Sequence, residues 1–398
     1  MTNLHNRFLA LDVFRGMTVC FMIIVNTPGD KINRFAQLVH ADWHGFTPAD
    51  WVFPSFLFAV GNALAFVMPK FLNTPPQSRL VRDFVSTQYF LKKVIKRSAI
   101  IFLLGFLMYW FPFMKWNEAG QLIVKPFSDT RIMGVLQRIA IAYLASSLIV
   151  YFVDVKRIIG VSIAILLGYW AILMGFGDAS DPLSPEGIGI SQWLNIQGNA
   201  VYKLDHFLFG DNHLYKVNGI IPFDPEGLLS TLPAIVNVLA GYLAGQFIMK
   251  SGKTYEGLAK LLLVGFILIL VAESWNWVFP INKRLWTSSF VLYTVGLDLC
   301  ILAAIIYFID FKNIKTGVNF FTVFGKNALF IYLLSEILAI SLKFSRVSCE
   351  QSYFKWTYHV LCEPIGGKIG SLAFAIGFML VCWGVGYWLD KKKIYIKV

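Results

Sequence analysis

The stretch "TPADWVFPSFLFAVGNALAFVMPK", residues 47–70, opens on helix-start residues, continues apolar and ends on a lysine. Thr47 is a natural N-cap, and Pro48 suits the first helical position. Asp50 then falls in the first turn, where the positive end of the helix dipole favours an acid. About 20 apolar residues in a row are what a helix needs to cross a hydrocarbon core roughly 30 Å thick. The same pattern recurs near 12–28, 49–69, 96–114, 133–153, 158–177, 228–249, 258–279, 286–309, 318–342 and 369–389. Such about ten segments predict an all-α integral membrane protein, a polytopic bundle of transmembrane helices. One membrane domain is expected over residues 1–398. Alternating strands of about 10 residues are absent, which argues against a β-barrel.

Composition points the same way. Of the 398 residues, 57% are hydrophobic and 15% charged, against roughly a quarter charged in soluble domains. The formal net charge of +12 would suit nucleic acid, but the charges are placed as in a membrane topology. Lys70, Arg79, Arg82, Lys92, Lys93, Lys96 and Arg97 crowd one segment, and Lys391, Lys392, Lys393 and Lys397 the tail. Residues 178–227 hold only Lys203 and Lys216. Cytoplasmic loops retain Lys and Arg. Both termini and a basic loop at 70–95 are therefore expected on the cytoplasmic side of a cell inner membrane, with a large extracytoplasmic loop at 178–227. The basic loop reads as an amphipathic stretch for the membrane surface, with anionic lipid rather than nucleic acid as partner.

The apolar run from Val13 has no small-residue cleavage site after it, so no cleavable signal is expected. No CxxC spacing occurs among the five cysteines. Cys349 and Cys362 share one expected outer loop, where a disulfide stands as an open alternative. No strong internal repeat is visible, which disfavours transporter folds built from inverted repeats.

Polar residues inside or beside such spans are the candidates for chemistry. "VHADWHGFTPADWVFPSF", residues 39–56, offers His40, Asp42, Trp43, His44, Asp50 and Trp51. Three readings stand side by side: an interfacial aromatic belt with solvated polar groups, catalysis, and zinc on His40 and His44 were they on one helix face. In "LDVFRG", Asp12 and Arg15 are three apart and can pair on a helix, and Arg15 also suits a phosphate. Asn26, before "TPG", is either a helix stop or an amide donor for an oxyanion. Gln137 and Arg138 interrupt an apolar pattern, as a structural pair or a binding group. Asp224 and Glu226 in "FDPEG" are substrate contacts or solvated loop acids. Asn327 and Glu336 fit helix–helix hydrogen bonding. An amino-sugar transporter using Arg138 and Glu336 as a binding pair is the competing function class.

Together "LDVFRG", "VNTPGD", "HADWHGFTPADWVFPSFLF", "RIMGVLQRIAIAY", "DHFLFGDNHLY", "FDPEGLLSTL", "PINKRLW" and "GKNALFIY" resemble, in order, the transmembrane acyltransferase family of heparan-α-glucosaminide N-acetyltransferase. The match runs over roughly residues 10–335, and the chain looks like the shorter bacterial-type members without the long N-terminal lumenal domain. The resemblance implies acetyl transfer from acetyl-CoA, as co-substrate, to an amino-sugar acceptor across a membrane. It places the active-site histidine on His40 and a nearby asparagine on Asn26. His44 has no counterpart in the animal motif, where an amide stands, so no metal is expected. On this basis Arg15, Arg97, Gln137 and Arg138 are expected to hold the cofactor. Asp42, Trp43, Asp50, Asp224 and Glu226 are expected to meet the acceptor. A homodimer is the oligomer that the resemblance suggests.

Overall fold

The computed structural model describes residues 9–72, 79–117, 119–178, 193–217, 219–348 and 351–396. Its helices are α1 (Leu9–Asn26), α2 (Pro48–Val67), α3 (Pro69–Leu72), α4 (Arg79–Trp110), α5 (Val135–Phe152), α6 (Val155–Phe176) and α7 (Ala200–Phe209). They continue as α8 (Thr231–Ser251), α9 (Tyr255–Asn276), α10 (Ser288–Ile306), α11 (Val318–Lys326), α12 (Ala328–Phe344), α13 (Tyr353–Leu361) and α14 (Gly367–Lys391). Two short antiparallel hairpins complete the described residues: β1 (Met114–Trp116) with β2 (Leu122–Val124), and β3 (Lys216–Val217) with β4 (Ile221–Pro222). The chain is an all-α polytopic membrane protein.

Every expected span falls on a helix. Among the described residues, eight helices are long and apolar enough to cross a membrane, and nine if one bent pair is a single span. The third expected span is the second half of α4, a helix of 32 residues whose first half carries the basic stretch. The ninth is broken: α11 and α12 meet at 83°. The backbone leaves the helical region at Asn327 (φ −126°, ψ 36°). Its amide is then spent on the tail, donating to the Ile394 carbonyl at 3.0 Å and accepting from the Ile396 N–H at 2.9 Å. Cys349 and residues 179–192 of the large loop lie outside the described residues.

Close helix crossings are made by glycine. A Cβ built on Gly61 of α2 would lie 1.9 Å from the Val238 carbonyl oxygen of α8, and one on Gly241 would lie 2.0 Å from that of Phe58. The two glycines are thus reciprocal, each admitting the other helix's backbone. Gly16 and Gly325 do the same between α1 and α11, with 1.8 Å to the Phe321 oxygen and 2.1 Å to that of Asp12. The result is a tight centre and a loose rim. The apolar window of α2 is 78% buried, those of α6 and α9 only 22%. On α9, Leu263, Phe266, Ile267 and Leu270 are exposed, as suits a lipid-facing helix.

Candidate active site

The site grows from the start of α2. Thr47 and Asp50 form a capping box, in which side chain and backbone satisfy each other's orphan groups. Asp50 Oδ2 accepts from the Thr47 N–H at 3.0 Å and from the Ala41 N–H at 3.1 Å, which folds the preceding loop back over the helix end. The Thr47 hydroxyl donates to the Val39 carbonyl at 2.7 Å. This brackets His40, whose Nδ1 lies 2.8 Å from Asp50 Oδ1. Asp50 is fully buried, while the His40 side chain remains 42% exposed.

A second segment closes on the first. Residues 280–287 form a rigid turn: Asn282 Oδ1 accepts from the Leu285 N–H at 2.8 Å, and Thr287 Oγ1 accepts from the Asn282 N–H at 3.0 Å. Trp286, fully buried, is held at φ +54°, a left-handed conformation that L-residues seldom adopt. Its Nε1 donates to Asn237 Oδ1 at 3.0 Å. The turn delivers Lys283, whose Nζ lies 2.9 Å from His40 Nδ1, 3.2 Å from Nε2 and 3.5 Å from Asp50 Oδ1. The Gly45 N–H donates to the Ile281 carbonyl at 2.8 Å and ties the two segments together.

The third wall is acidic and braced. Arg131 grips Asp224 through Nε at 2.8 Å and Nη2 at 2.5 Å, and reaches Glu226 Oε2 at 2.5 Å. Its guanidinium stacks between Tyr109 and Tyr215, 4.9 and 5.0 Å from their centroids. Burial opposes the charge of Arg131, but Asp224, with Tyr109 and Glu226, holds its pKa above the ordinary arginine value. Burial likewise opposes the charge of Glu226, and Arg131, Arg138 and Lys283 together outweigh it, leaving that carboxyl below its usual range. The field of Glu226 reaches both His40 and Lys283.

Burial first, and then Lys283, pull the His40 pKa below its ordinary value of 6.5, against the upward pull of Asp50 and Glu226. The ring is therefore neutral near pH 7. That desolvation coexists with a ring that keeps part of its surface in solvent. Asp50 Oδ1 sets a buried negative charge beside Nδ1, and a neutral imidazole keeps a lone pair on one of its two nitrogens. The arrangement can accept a proton at Nε2 and stabilise the resulting imidazolium through Asp50.

Several expected residues take other roles. Residues 40–44 are irregular loop and bend rather than helix, so His40 and His44 do not share a helix face. Burial drives His44 down to about 4. Asp50 is an orienting group for His40 rather than an acceptor contact, because neither oxygen reaches solvent. Asp224 is likewise buried behind Arg131; Glu226 keeps 13% of its side chain exposed. Trp43 donates from Nε1 to the Leu194 carbonyl at 2.9 Å and packs edge-on against Phe223, which makes it a tie between loops. Trp51 is no interfacial belt residue: it is buried, and its Nε1 donates to Asp298 Oδ1 at 2.7 Å. Asp42 is exposed.

The expected cofactor set does not come together. Asp12 and Arg15 pair at 3.5 Å, and Arg15 also reaches the Gly325 carbonyl at 3.4 Å, at the far end of α1 from Asn26. Arg97 stacks 4.9 Å over Tyr143. Gln137 and Arg138 are fully buried in the first turn of α5, by the acidic wall. Gln137 donates to the Ile132 carbonyl at 2.9 Å. Arg138 donates to the Pro225 carbonyl at 2.8 Å and to Ser230, with its guanidinium 4.6 Å over Trp286. Arg138 props the loop that carries Glu226, Gln137 holds the entry to its own helix, and neither is open to a phosphate. Asn26 donates to Glu336 Oε1 at 3.1 Å, so Arg138 and Glu336, paired in the transport reading, serve different partners. Lys283, Arg131 and Tyr109 were not singled out in the sequence. Two of them stand inside the motifs "PINKRLW" and "RIMGVLQRIAIAY", which was the available signal.

The chain is 26% identical over 437 aligned residues to heparan-alpha-glucosaminide N-acetyltransferase of Mus musculus, covering 99% of this chain and 61% of that protein. The family resemblance of the motifs is borne out. The Homo sapiens protein of the same name is 27% identical over 377 residues, covering 85% of this chain and 54% of its own length. The chain thus spans a little over half the length of these curated relatives. No family model matches it.

Proposed function

We propose that the chain is a transmembrane acyltransferase, moving an acetyl group from cytoplasmic acetyl-CoA to the amine of an extracytoplasmic, glucosamine-like sugar. The observation that carries this is the His40 ring: accessible, neutral, and oriented by a buried carboxylate 2.8 Å away. Similarity to two acetyltransferases over most of the chain supports the reaction class. In direct transfer, His40 Nε2 takes the proton from the acceptor ammonium. The free amine attacks the thioester carbon, the C–S bond breaks, and the departing CoA thiolate takes the second proton from the new amide nitrogen and leaves as the thiol, while the His40 imidazolium returns its proton to water. In the covalent route, Nε2 itself takes the acetyl group and passes it on. No metal is needed in either.

The donor's phosphates rest near Arg15 and Arg97 at the cytoplasmic end. Arg15 and Asn26 are eleven residues apart on α1, about 16 Å at 1.5 Å per residue, so the pantetheine arm has to extend along the bundle. Asn26 stands at the acyl end as amide donor, and Glu226 and Asp42 face the acceptor. The site opens on the extracytoplasmic side of an inner membrane, in a chain that pairs as a homodimer. Purified protein given radiolabelled acetyl-CoA, with and without glucosamine, tests the proposal. Labelled N-acetylglucosamine from wild type and none from a folded His40→Ala variant is the expected result. Full activity in that variant would overturn the assignment.

A further inference from the structure

Lys283 meets both nitrogens of the His40 ring and the carboxylate that orients it, yet acyl transfer as derived above gives it no task. An ammonium is a donor only, with no lone pair. Lys283 Nζ lies 2.9 Å from Nδ1 and 3.2 Å from Nε2, so a neutral ring has a lone-pair nitrogen within reach of the ammonium whichever nitrogen bears the proton. A protonated His40 has no lone pair, so two N–H groups would face a third cationic donor at hydrogen-bonding distance. Lys283 has little room to withdraw. Its side chain is only 16% exposed, and the turn that carries it is fixed by Asn282, Thr287 and the left-handed Trp286.

We propose that Lys283 is the positioning residue of this site: a fixed cation that keeps His40 uncharged and ready to act as a base, set against the buried Asp50 carboxylate on the same ring. The charged groups facing His40 are Asp50 from α2, Lys283 from the turn before α10, and Glu226 from the loop before α8. Arg284 stands behind Lys283 and Arg131 behind Glu226. The two acids pull toward imidazolium, and burial and Lys283 pull against them, so removing the lysine leaves burial alone to oppose the acids. The catalytic meaning rests on the acyltransferase reading, but the charge state of His40 does not.

Diethyl pyrocarbonate modifies only the neutral imidazole. Its rate at His40, followed by peptide mass spectrometry across pH on the full chain in detergent, therefore reports His40 alone. The midpoint in Lys283→Gln should rise by at least about one pH unit, whereas Lys283→Arg should keep the wild-type midpoint. Lys283→Met replaces the glutamine variant if that one fails to fold. A midpoint unmoved in a folded neutral variant, or moved as far by arginine as by glutamine, overturns the proposal. Where acetyl transfer is measured, the acidic limb of kcat/KM should move up with the midpoint. A protein that shows the shift and transfers no acetyl group loses the acyltransferase reading and keeps this one.

Discussion

The two ends of α1 use polar residues differently. At the Arg15 end the partners are consumed. Lys326 holds both oxygens of Asp390 at 2.8 Å, Tyr395 adds a hydroxyl to the same carboxylate at 3.0 Å, and Asn327 spends both amide atoms on the tail. These contacts close a broken helix. At the His40 end, by contrast, charges of both signs surround a ring that is still 42% exposed. Acids and bases there restrain one another without cancelling, and an open nitrogen is left over. Bracing at one end and poise at the other is the pattern expected when only one end does chemistry.

The sharpest break in that contrast would come from His40→Ala, which should reduce acetyl transfer to background without loss of folded protein in size-exclusion chromatography. Asp50→Asn comes next. It keeps the cap geometry but loses the charge behind Nδ1, and the turnover rate should fall on the order of 10³–10⁴-fold, as when a triad loses its carboxylate. Gly61→Val should leave the chemistry intact and act on the frame. Its side chain has a carbonyl oxygen where Cβ must go, and overpacking of this kind costs about 1–3 kcal/mol, readable as a lower melting midpoint in detergent. Arg15→Gln tests the braced end: the KM for acetyl-CoA should rise about tenfold, the loss of one charge-assisted hydrogen bond, with the His40 carbethoxylation midpoint unchanged.

The smallest effect is expected at Asp205 of α7, which accepts from the Leu228 N–H at 2.9 Å and whose pKa burial raises to about 7. An unfolded aspartate ionises near ~3.9. Between those values the unfolded chain sheds a proton that the folded chain keeps, so stability is lost as pH rises through that window. Asp205→Asn removes the term. Thermal unfolding between pH 5 and pH 8 should show a flatter dependence than wild type.

The spans were legible because an apolar run of membrane length has few other fates. The break at Asn327 was not, since "VNFFTVFGKNALFIYLLSEIL" stays apolar enough to read as one helix; the tail that satisfies the break lies 67 and 69 residues away. At the site, His40 was legible by resemblance. Its neighbour Lys283 is 243 residues distant in sequence, and no periodicity links a loop lysine to a loop histidine. Trp43 and Trp51 misled for a related reason: tryptophan is common at membrane interfaces, but it is also the residue that fills a core while donating one hydrogen bond. Burial separates the two cases, and burial is a property of the folded chain.

The reciprocal glycines set a limit on motion. Where Gly61 admits the Val238 backbone and Gly241 that of Phe58, a slide of one residue along either helix would bring a side chain against a carbonyl. Gly16 and Gly325 key α1 to α11 in the same way. Helices notched together can pivot slightly but cannot shear past one another. The centre of the bundle is therefore a fixed frame, unsuited to the rocking by which a carrier shows one cavity to each side in turn. On the function proposed, the travelling part is the flexible thioester arm, and the protein stays still around it.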